Sequence, residues 1–213
     1  MTATATIYIV YYSTYGHIHK LAKALETGAQ RVKDVDIKLF RVPETLSDEI
    51  LAKIHAPPKP EEVPVIEQAG QLTDADGFLF GFPTRFGMAP AQFKAFLDSS
   101  GGIWAAGALR GKQAGLFTSS NTQHGGQETT ALTTLPFLAH HGLQYVPFGY
   151  GHPALNATKE VSGGSPYGAS AVAGIDGDSP TKTELEIAEA QGEYFAKQVL
   201  IRKLGEKAFA EQQ

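Results

Sequence analysis

The 213-residue chain contains no cysteine. That absence excludes a disulfide framework, a thiolate zinc site, a cysteine-ligated iron–sulfur cluster and a cysteine nucleophile. Any catalysis must therefore rely on other side chains or on a cofactor.

An excess of positive charge and long apolar runs are absent as well. The chain has 18 Lys and Arg against 22 Asp and Glu, and its basic residues are scattered, so nucleic acid is not an expected partner. The first ten residues, MTATATIYIV, lack a basic segment, and their apolar run is too short for a signal peptide or a membrane span. We expect a cytoplasmic protein with no integral membrane segment, and peripheral membrane association stays open.

What the sequence does contain is an alternation of strand and helix patterns. Its apolar and charged fractions, 42% and 19%, are typical of a globular protein, and we expect a single domain over residues 1–213. The predicted strands are Ile7–Tyr12, Val35–Phe40, Gly77–Phe82, Gln113–Thr118 and Leu143–Phe148. The predicted helices are His17–Val32, Ala89–Leu97, Gln127–His140 and Thr183–Leu204. This alternation indicates an α/β fold, a doubly wound parallel sheet with helices on both faces.

Three details complete the predicted layout. Val42–Val65 is rich in proline and is predicted to be irregular apart from a short helix at Asp48–His55. Gly149–Pro180 is rich in glycine and is also predicted to be irregular. The last helix is predicted to begin with a capping box formed by Thr183 and Glu186.

Ligands of doubly wound folds bind beyond the carboxyl ends of the strands, and the loop after the first strand reads STYGHI, Ser13 to Ile18. It places hydroxyl groups and a glycine before a helix N-terminus, where free N–H groups favour an anion such as a phosphate. The alternative is that Ser13 and Thr14 only cap the helix.

The loops after the third and fourth strands have compatible chemistry. Phe82–Pro90, FPTRFGMAP, displays a hydroxyl group, a guanidinium group and an aromatic ring, which suit a flat heteroaromatic ligand; the alternative is a turn whose arginine faces water. Thr118–Gln127, TSSNTQHGGQ, has a glycine-rich backbone that can approach the edge of a ring. Three such loops at neighbouring strand ends predict one ligand site.

Other functions of this fold class match less well. A phospho-receiver domain needs carboxylates where this chain has Ser13 and Pro83–Thr84. A hydrolase needs a nucleophile elbow, and the nearest string, GGSPY at Gly163–Tyr167, lacks its final glycine. The paired histidines, 17 with 19 and 140 with 141, have the wrong spacing for ligands on one helix face, so no metal site is expected.

The loop sequences resemble those of the WrbA family, flavodoxin-like NAD(P)H:quinone oxidoreductases. The shared strings are YYSTYGHI, RVPET, GFPTRFG, FLDSSGGIW, GGQET, LAHHG, GGSPYGAS and QGEY, and they extend over nearly the whole chain. The resemblance implies a five-stranded sheet in the order 2-1-3-4-5 and FMN as the cofactor.

The resemblance also implies which residues contact the flavin. The implied phosphate-binding residues are Ser13, Thr14, Tyr15, Gly16, His17 and Ile18. The implied ring-lining residues are Pro83, Thr84, Arg85, Phe86 and Gly87. The implied contacts at the far ring edge are Ser119, Ser120, Asn121, Thr122, Gln123, His124 and Gly125. That last loop departs from the family's STGTGGGQ by one extra residue and fewer glycines.

Implied roles in turnover fall on a few further side chains. His140, the first histidine of LAHHG, would reach the flavin and act in catalysis, whereas replacing His141 is expected to change turnover little. Tyr15 would contact the nicotinamide nucleotide, and Trp104 with Phe86 would line the quinone pocket. The alternatives are that the histidines stabilise a helix C-terminus and that Trp104 belongs to a core or an interface.

The function that the resemblance implies is two-electron reduction of quinones to hydroquinones by NADH or NADPH, in a ping-pong sequence that protects against quinone redox cycling. It also implies a homotetramer, and we expect the interface to bury Ile103, Trp104, Leu109, Tyr150 and Tyr167. The runner-up is a flavodoxin-type electron carrier or a flavin-bound interaction module without NAD(P)H turnover. The sequence does not choose between NADH and NADPH.

Overall fold

A computed structural model describes residues 5–174 and 179–212, so residues 175–178 of the predicted irregular segment Gly149–Pro180 lie outside the described residues. One parallel sheet contains β1 (Ala5–Tyr11), β2 (Val35–Arg41), β3 (Gly77–Pro83), β4 (Gln113–Ser120), β5 (Gln144–Tyr145) and β6 (Ser170–Val172). The order is β2-β1-β3-β4, and both β5 and β6 pair with β4. The predicted flavodoxin-like order is confirmed, with the fifth position divided between two short strands.

The fifth strand predicted at Leu143–Phe148 is too long. Only Gln144 and Tyr145 pair with the start of β4, while Ser170–Val172 pairs with its end. Pro147 has no N–H to donate to a ladder, and the chain leaves the sheet there for a long excursion. A three-residue strand carries too little periodicity to be found from the sequence.

Helices flank the sheet on both faces. Their bounds are α1 (His17–Ala29), α2 (Asp48–Lys53), α3 (Ala91–Asp98), α4 (Gly101–Ala105), α5 (Gln127–Leu132), α6 (Leu135–His140) and α7 (Lys182–Ala210), with 3₁₀ helices at Ala69–Asp74 and Pro153–Asn156. The single helix predicted at Gln127–His140 is therefore two helices. Pro136 lies in the first turn of α6, where its missing N–H costs nothing, and it would have interrupted a continuous helix.

The last helix begins at Lys182, one residue earlier than predicted, and its N-cap lies two residues earlier than predicted. Its capping box pairs Thr181 with Glu184, so the box predicted at Thr183 and Glu186 is wrong. Both pairs have the same spacing, and the sequence pattern alone does not separate them. Glu184 is fully buried, because its carboxylate also accepts hydrogen bonds from the N–H groups of Gly163 and Val172, each at 2.8 Å.

Two apolar clusters lie on opposite faces of the sheet. Side chains of β1 and of Tyr12, the residue after it, alternate between them: Ile7, Ile9 and Tyr11 pack beneath α1 and α7, and Tyr8, Val10 and Tyr12 face α3. Helices α1 and α7 approach closely, since a methyl group built on Gly192 would lie 2.1 Å from the carbonyl oxygen of Leu25. This packing fixes the N-terminus of α1 at the end of β1.

Candidate functional site

A cavity of about 650 Å³ opens at the carboxyl end of the sheet, where β1, β3, β4 and β6 end. All three predicted loops contribute to its wall. The lining residues are Ser13, Thr14, Tyr15, His17, Ile18, Pro83, Thr84, Arg85, Ser119, Ser120, Asn121, Ala173 and Gly174. It lies beside the point where the strand order reverses between β1 and β3, the usual ligand position in this fold class.

The first loop presents the N-terminus of α1 to this cavity. Gly16 has a φ of 91°, a left-handed conformation that favours glycine, and its N–H donates to the hydroxyl oxygen of Ser13 at 3.0 Å. No side chain caps α1, so the first N–H groups of this 13-residue helix and its dipole favour an anion. Burial, followed by the nearby charge of Lys20, lowers the pKa of His17, which makes it a neutral partner at pH 7.

The second loop is a tight turn from Thr84 to Met88. Phe86 and Gly87 both have positive φ values, 55° and 79°, and the Arg85 N–H donates to the Met88 carbonyl oxygen at 2.8 Å. The Thr84 hydroxyl accepts from the Gly87 N–H at 3.1 Å and from the Thr130 hydroxyl at 2.7 Å. Phe86 is fully exposed at the tip, and a bulky residue in this backbone region indicates stored strain of the kind found at functional sites.

A chain of hydrogen bonds joins the second loop to the first. The guanidinium group of Arg85 donates to the Thr14 hydroxyl at 3.2 Å, the Thr14 hydroxyl donates to the Tyr12 hydroxyl at 3.4 Å, and the Tyr12 hydroxyl donates to the Glu44 carboxylate at 2.9 Å. Burial alone would raise the pKa of Glu44, but the Leu46 N–H, Lys59 and Tyr12 together hold that pKa below its usual value. Glu44 is therefore a carboxylate at neutral pH, and burial raises the pKa of Tyr12 to about 12.

The third loop divides between the cavity and the outside. Ser119 and Ser120 are buried against the cavity, and the carbonyl oxygens of Ser120 and Asn121 accept from the N–H groups of Ala173 and Gly174 at 2.7 and 3.1 Å. Beyond Asn121 the chain turns away. Thr122, Gln123, His124 and Gly125 are not among the described residues that line the main cavity, and Gln123 and His124 line a separate groove of about 470 Å³. Their roles stay predictions.

Apart from Tyr15, which lines the cavity, the residues predicted for turnover lie away from it. Trp104 is 54% exposed and its indole N–H donates to the His140 carbonyl oxygen at 3.1 Å. His140 is exposed, whereas His141 is buried and its Nε2 lies 2.9 Å from the Ser100 hydroxyl. Among the residues that the structure describes, neither His140, Trp104, Phe86 nor Gly87 lines the cavity.

A family model described as NADPH-dependent FMN reductase matches residues 12–152. The chain belongs to this family. It is 56% identical to quinone-oxidoreductase QR2 of Triphysaria versicolor, over 89% of this chain and 93% of that protein. It is 54% identical to NAD(P)H quinone oxidoreductase YCP4 of Candida albicans, over 90% of this chain and 67% of that protein. These relatives confirm the resemblance stated from the loop motifs.

The fold is similar to that of a WrbA-like flavodoxin from Agrobacterium tumefaciens. The TM-score is 0.60 and the identity 23%, over 92% of this chain and 98% of that structure. At this identity the likeness concerns the fold alone.

Sequence reasoning missed two kinds of residue in this family member. Ala173 and Gly174 follow the short strand β6, and only the glycine-rich GGSPYGAS string ahead of them hinted at a backbone approaching a ligand. Glu44 and Lys59 come from a proline-rich segment that carried no periodic signal. RVPET was the one hint, since it contains Glu44.

Two further observations concern the described residues, 5–174 and 179–212. None of the helices there is both long and apolar enough to cross a membrane. No three His, Asp or Glu side chains within these ranges are grouped as metal ligands would be.

Proposed function

We propose that the chain is an FMN-dependent enzyme that reduces quinones to hydroquinones with NADH or NADPH. The observation that carries this proposal is the cavity in which hydroxyl-bearing loops from three strand ends meet the uncapped N-terminus of α1. The quinone oxidoreductase names of relatives more than 50% identical to this chain support the same activity.

The residues that line the cavity fit FMN. Its volume of about 650 Å³ lies within the range of about 300–1,000 Å³ that is common for small-molecule sites. Ser13 to Ile18 offer hydroxyl and helix N–H groups to a phosphate, while Pro83, Thr84 and Arg85 form a wall suited to a flat ring. Ser119, Ser120 and Asn121, with Ala173 and Gly174, complete the lining.

Bound FMN would supply the redox chemistry, taking a hydride from NAD(P)H and passing two electrons to a quinone. The balance is NAD(P)H, one proton and the quinone, converted to NAD(P)⁺ and the hydroquinone. We propose that Arg85, held on Thr14 at 3.2 Å, keeps the first two loops in register around the ring.

Other side chains of this chain would act on the substrates. We propose that Tyr15 contacts the nicotinamide nucleotide, because it is half exposed at the cavity rim and its hydroxyl is anchored on the Ile54 carbonyl oxygen at 3.0 Å. We propose that His140 assists proton delivery and that Phe86 and Trp104 line the quinone pocket.

The two substrates are both planar and would use one flavin face, so we propose that they bind in turn. Two-electron delivery avoids release of a partly reduced quinone radical, and protection from redox cycling in the cytoplasm would follow. We also propose a homotetramer, since Trp104 and His140 lie away from the cavity of their own chain.

Ligand titration and steady-state kinetics test the proposed function. Wild-type protein is expected to bind FMN much more tightly than riboflavin, because riboflavin lacks the phosphate that the N-terminus of α1 would hold. With FMN bound, NAD(P)H should be consumed with benzoquinone, and double-reciprocal plots should give parallel lines.

Each result that would contradict the proposal has a distinct meaning. Equal affinity for FMN and riboflavin would remove the phosphate site from the first loop. Tight FMN binding without benzoquinone-dependent NAD(P)H consumption would favour an electron carrier. Intersecting lines would refute binding in turn while leaving the reductase activity in place.

A further inference from the structure

An ion pair lies beside the first loop and is partly shielded from solvent. The Nζ of Lys59 lies 3.1 Å from the Glu44 carboxylate, and their side chains are only 21% and 18% exposed. Surface ion pairs contribute little, but a partly buried pair persists only when its geometry and further hydrogen bonds offset desolvation. Further contacts must therefore hold Glu44 and Lys59 in this position.

Lys59 is held in place from several sides. It lies between Pro58 and Pro60, whose rings restrict the backbone on either side of it. Its Nζ lies 5.0 Å from the centre of the Tyr12 ring and donates to the carbonyl oxygen of Ser13 at 2.8 Å. The ammonium group thus bonds directly to the backbone of the predicted phosphate-binding loop.

Glu44 is the centre that orients Lys59. Its carboxylate accepts from the Thr45 N–H at 2.9 Å, from the Tyr12 hydroxyl at 2.9 Å and from the Gln92 side-chain amide at 3.1 Å. These donors come from the segment after β2, from the end of β1 and from α3. The carboxylate therefore has one fixed position, and Lys59 is fixed with it.

The bond to Ser13 determines the direction of the next N–H group. In a trans peptide the C=O and the following N–H point in opposite directions. Because Lys59 holds the Ser13 carbonyl, the Thr14 N–H must point away from Lys59. Thr14 itself lines the cavity.

We propose that Glu44 and Lys59 are positioning residues that turn the Ser13–Thr14 peptide so that its N–H faces the phosphate of FMN, and that they thereby set the preference for FMN over riboflavin. The inference rests on the proposed function, since it takes FMN as the ligand. It assigns a role to the RVPET string and to the proline-rich segment after it.

The test measures the ratio of the riboflavin and FMN dissociation constants in four variants. Lys59→Met removes the donor but keeps an apolar stem over the Tyr12 ring, and Glu44→Gln removes the charge that orients Lys59. The matched controls are Lys53→Met and Glu49→Gln, an exposed pair 2.7 Å apart in the same segment. Each of the first two variants should lower the ratio on the order of tenfold, the usual effect of losing one charge-assisted hydrogen bond, and the controls should keep it.

The sign of the Glu44→Gln effect separates positioning from simple electrostatics. Removing a negative charge near a phosphate would by itself tighten FMN binding. A positioning role predicts weaker binding, because the ammonium group is released from its place. Tighter or unchanged FMN binding in Glu44→Gln would overturn the inference.

Other results are equally decisive. A Lys59→Met variant that keeps the wild-type ratio would overturn it, and so would loss of riboflavin and FMN binding together, because a role confined to the phosphate loop leaves riboflavin binding intact. Wild-type protein that binds FMN no better than riboflavin would instead refute the proposed FMN site itself.

Discussion

At the scale of single residues, the adjacent histidines 140 and 141 have opposite environments. His141 is 6% exposed, with Nε2 against Ser100, and its Nδ1 has no hydrogen-bond partner among the described residues. His140 is exposed. We expect His141→Ala to lower the free energy of unfolding by about 2 kcal/mol through a cavity and a lost hydrogen bond, and His140→Ala to leave it unchanged. Urea titration of both variants measures this difference.

The rate of quinone reduction should depend on His140 and not on His141, the reverse of what we expect for stability. His140→Ala is expected to slow benzoquinone reduction roughly 10²-fold or more if His140 assists proton delivery, while folded His141→Ala keeps the rate. Similar rates for the two variants would leave His140 as a helix-end residue only.

The pH dependence of stability follows from the buried histidine. Burial, and then the charge of His140, lower the pKa of His141 below the ordinary value of 6.5. As the pH falls, His141 therefore binds a proton in the unfolded chain before it does so in the folded protein. The contribution of neutral His141 to the free energy of unfolding is present above about pH 6.5 and is lost as the pH falls below that value. The fall in melting temperature between about pH 7.5 and about pH 5.5 should be smaller in His141→Gln than in wild type. An equal fall would refute this role of His141 and point to His17 and His19, whose pKa values burial also lowers.

Residue-level prediction from the sequence was best where local chemistry sufficed. Hydroxyl groups before a helix N-terminus indicate an anion site, and Ser13 and Thr14 do line the cavity. Glu44 and Lys59 escaped notice because their contacts join residues 46 apart, Lys59 to Ser13, and no local pattern encodes such a contact.

At the scale of elements, the crossing of α1 and α7 depends on glycine. Gly192 leaves no room for a side chain, since its Cβ would lie 2.1 Å from the Leu25 carbonyl oxygen. Backbone cannot move aside as a flexible side chain can, so Gly192→Ala must push the two helices apart. We expect it to lower the free energy of unfolding by about 2 kcal/mol or more, measured by urea titration.

The same helix contains a matched control. Gly205 lies on its exposed part, where an added methyl group would have nothing within 4 Å, so Gly205→Ala should raise stability by about 0.5–1 kcal/mol through helix propensity. If both substitutions raised the free energy of unfolding, helix propensity and not the close crossing would determine the effect at Gly192.

Element prediction succeeded where burial imposed a long apolar pattern. Strands β3 and β4 were found nearly to the residue because both of their faces are covered. Strand β5 was predicted too long and β6 was missed, because they contain only two and three residues and their place is set by pairing with β4. Helix α4 was missed for a similar reason, since GGIWA carries two glycines and no helical period.

At the scale of the whole molecule, some apolar side chains expected at an interface are already covered. Leu109 is fully buried within its own chain, so the expectation that an interface covers it is wrong. Ile103 and Tyr167 pack on the cluster that faces α3. Trp104 and Tyr150 stay 54% and 65% exposed, and large exposed aromatic residues of this kind are typical of contact surfaces.

The last prediction is that these exposed aromatic residues assemble the protein and complete its site. Dihedral tetramers need two self-complementary patches, and Trp104, bonded to the His140 carbonyl at 3.1 Å, holds a fixed position from which it could close the cavity of a neighbouring chain. Trp104→Ala should therefore shift sedimentation velocity toward smaller species and lower quinone turnover together. Phe209→Ala, which removes an aromatic residue 64% exposed at the far end of α7, is the control and should change neither.

Diluting the FMN-bound wild type should reproduce both losses at the same concentration, because assembly and pocket closure would be one event. A fully active monomer would refute both the tetramer and the role of Trp104 across subunits.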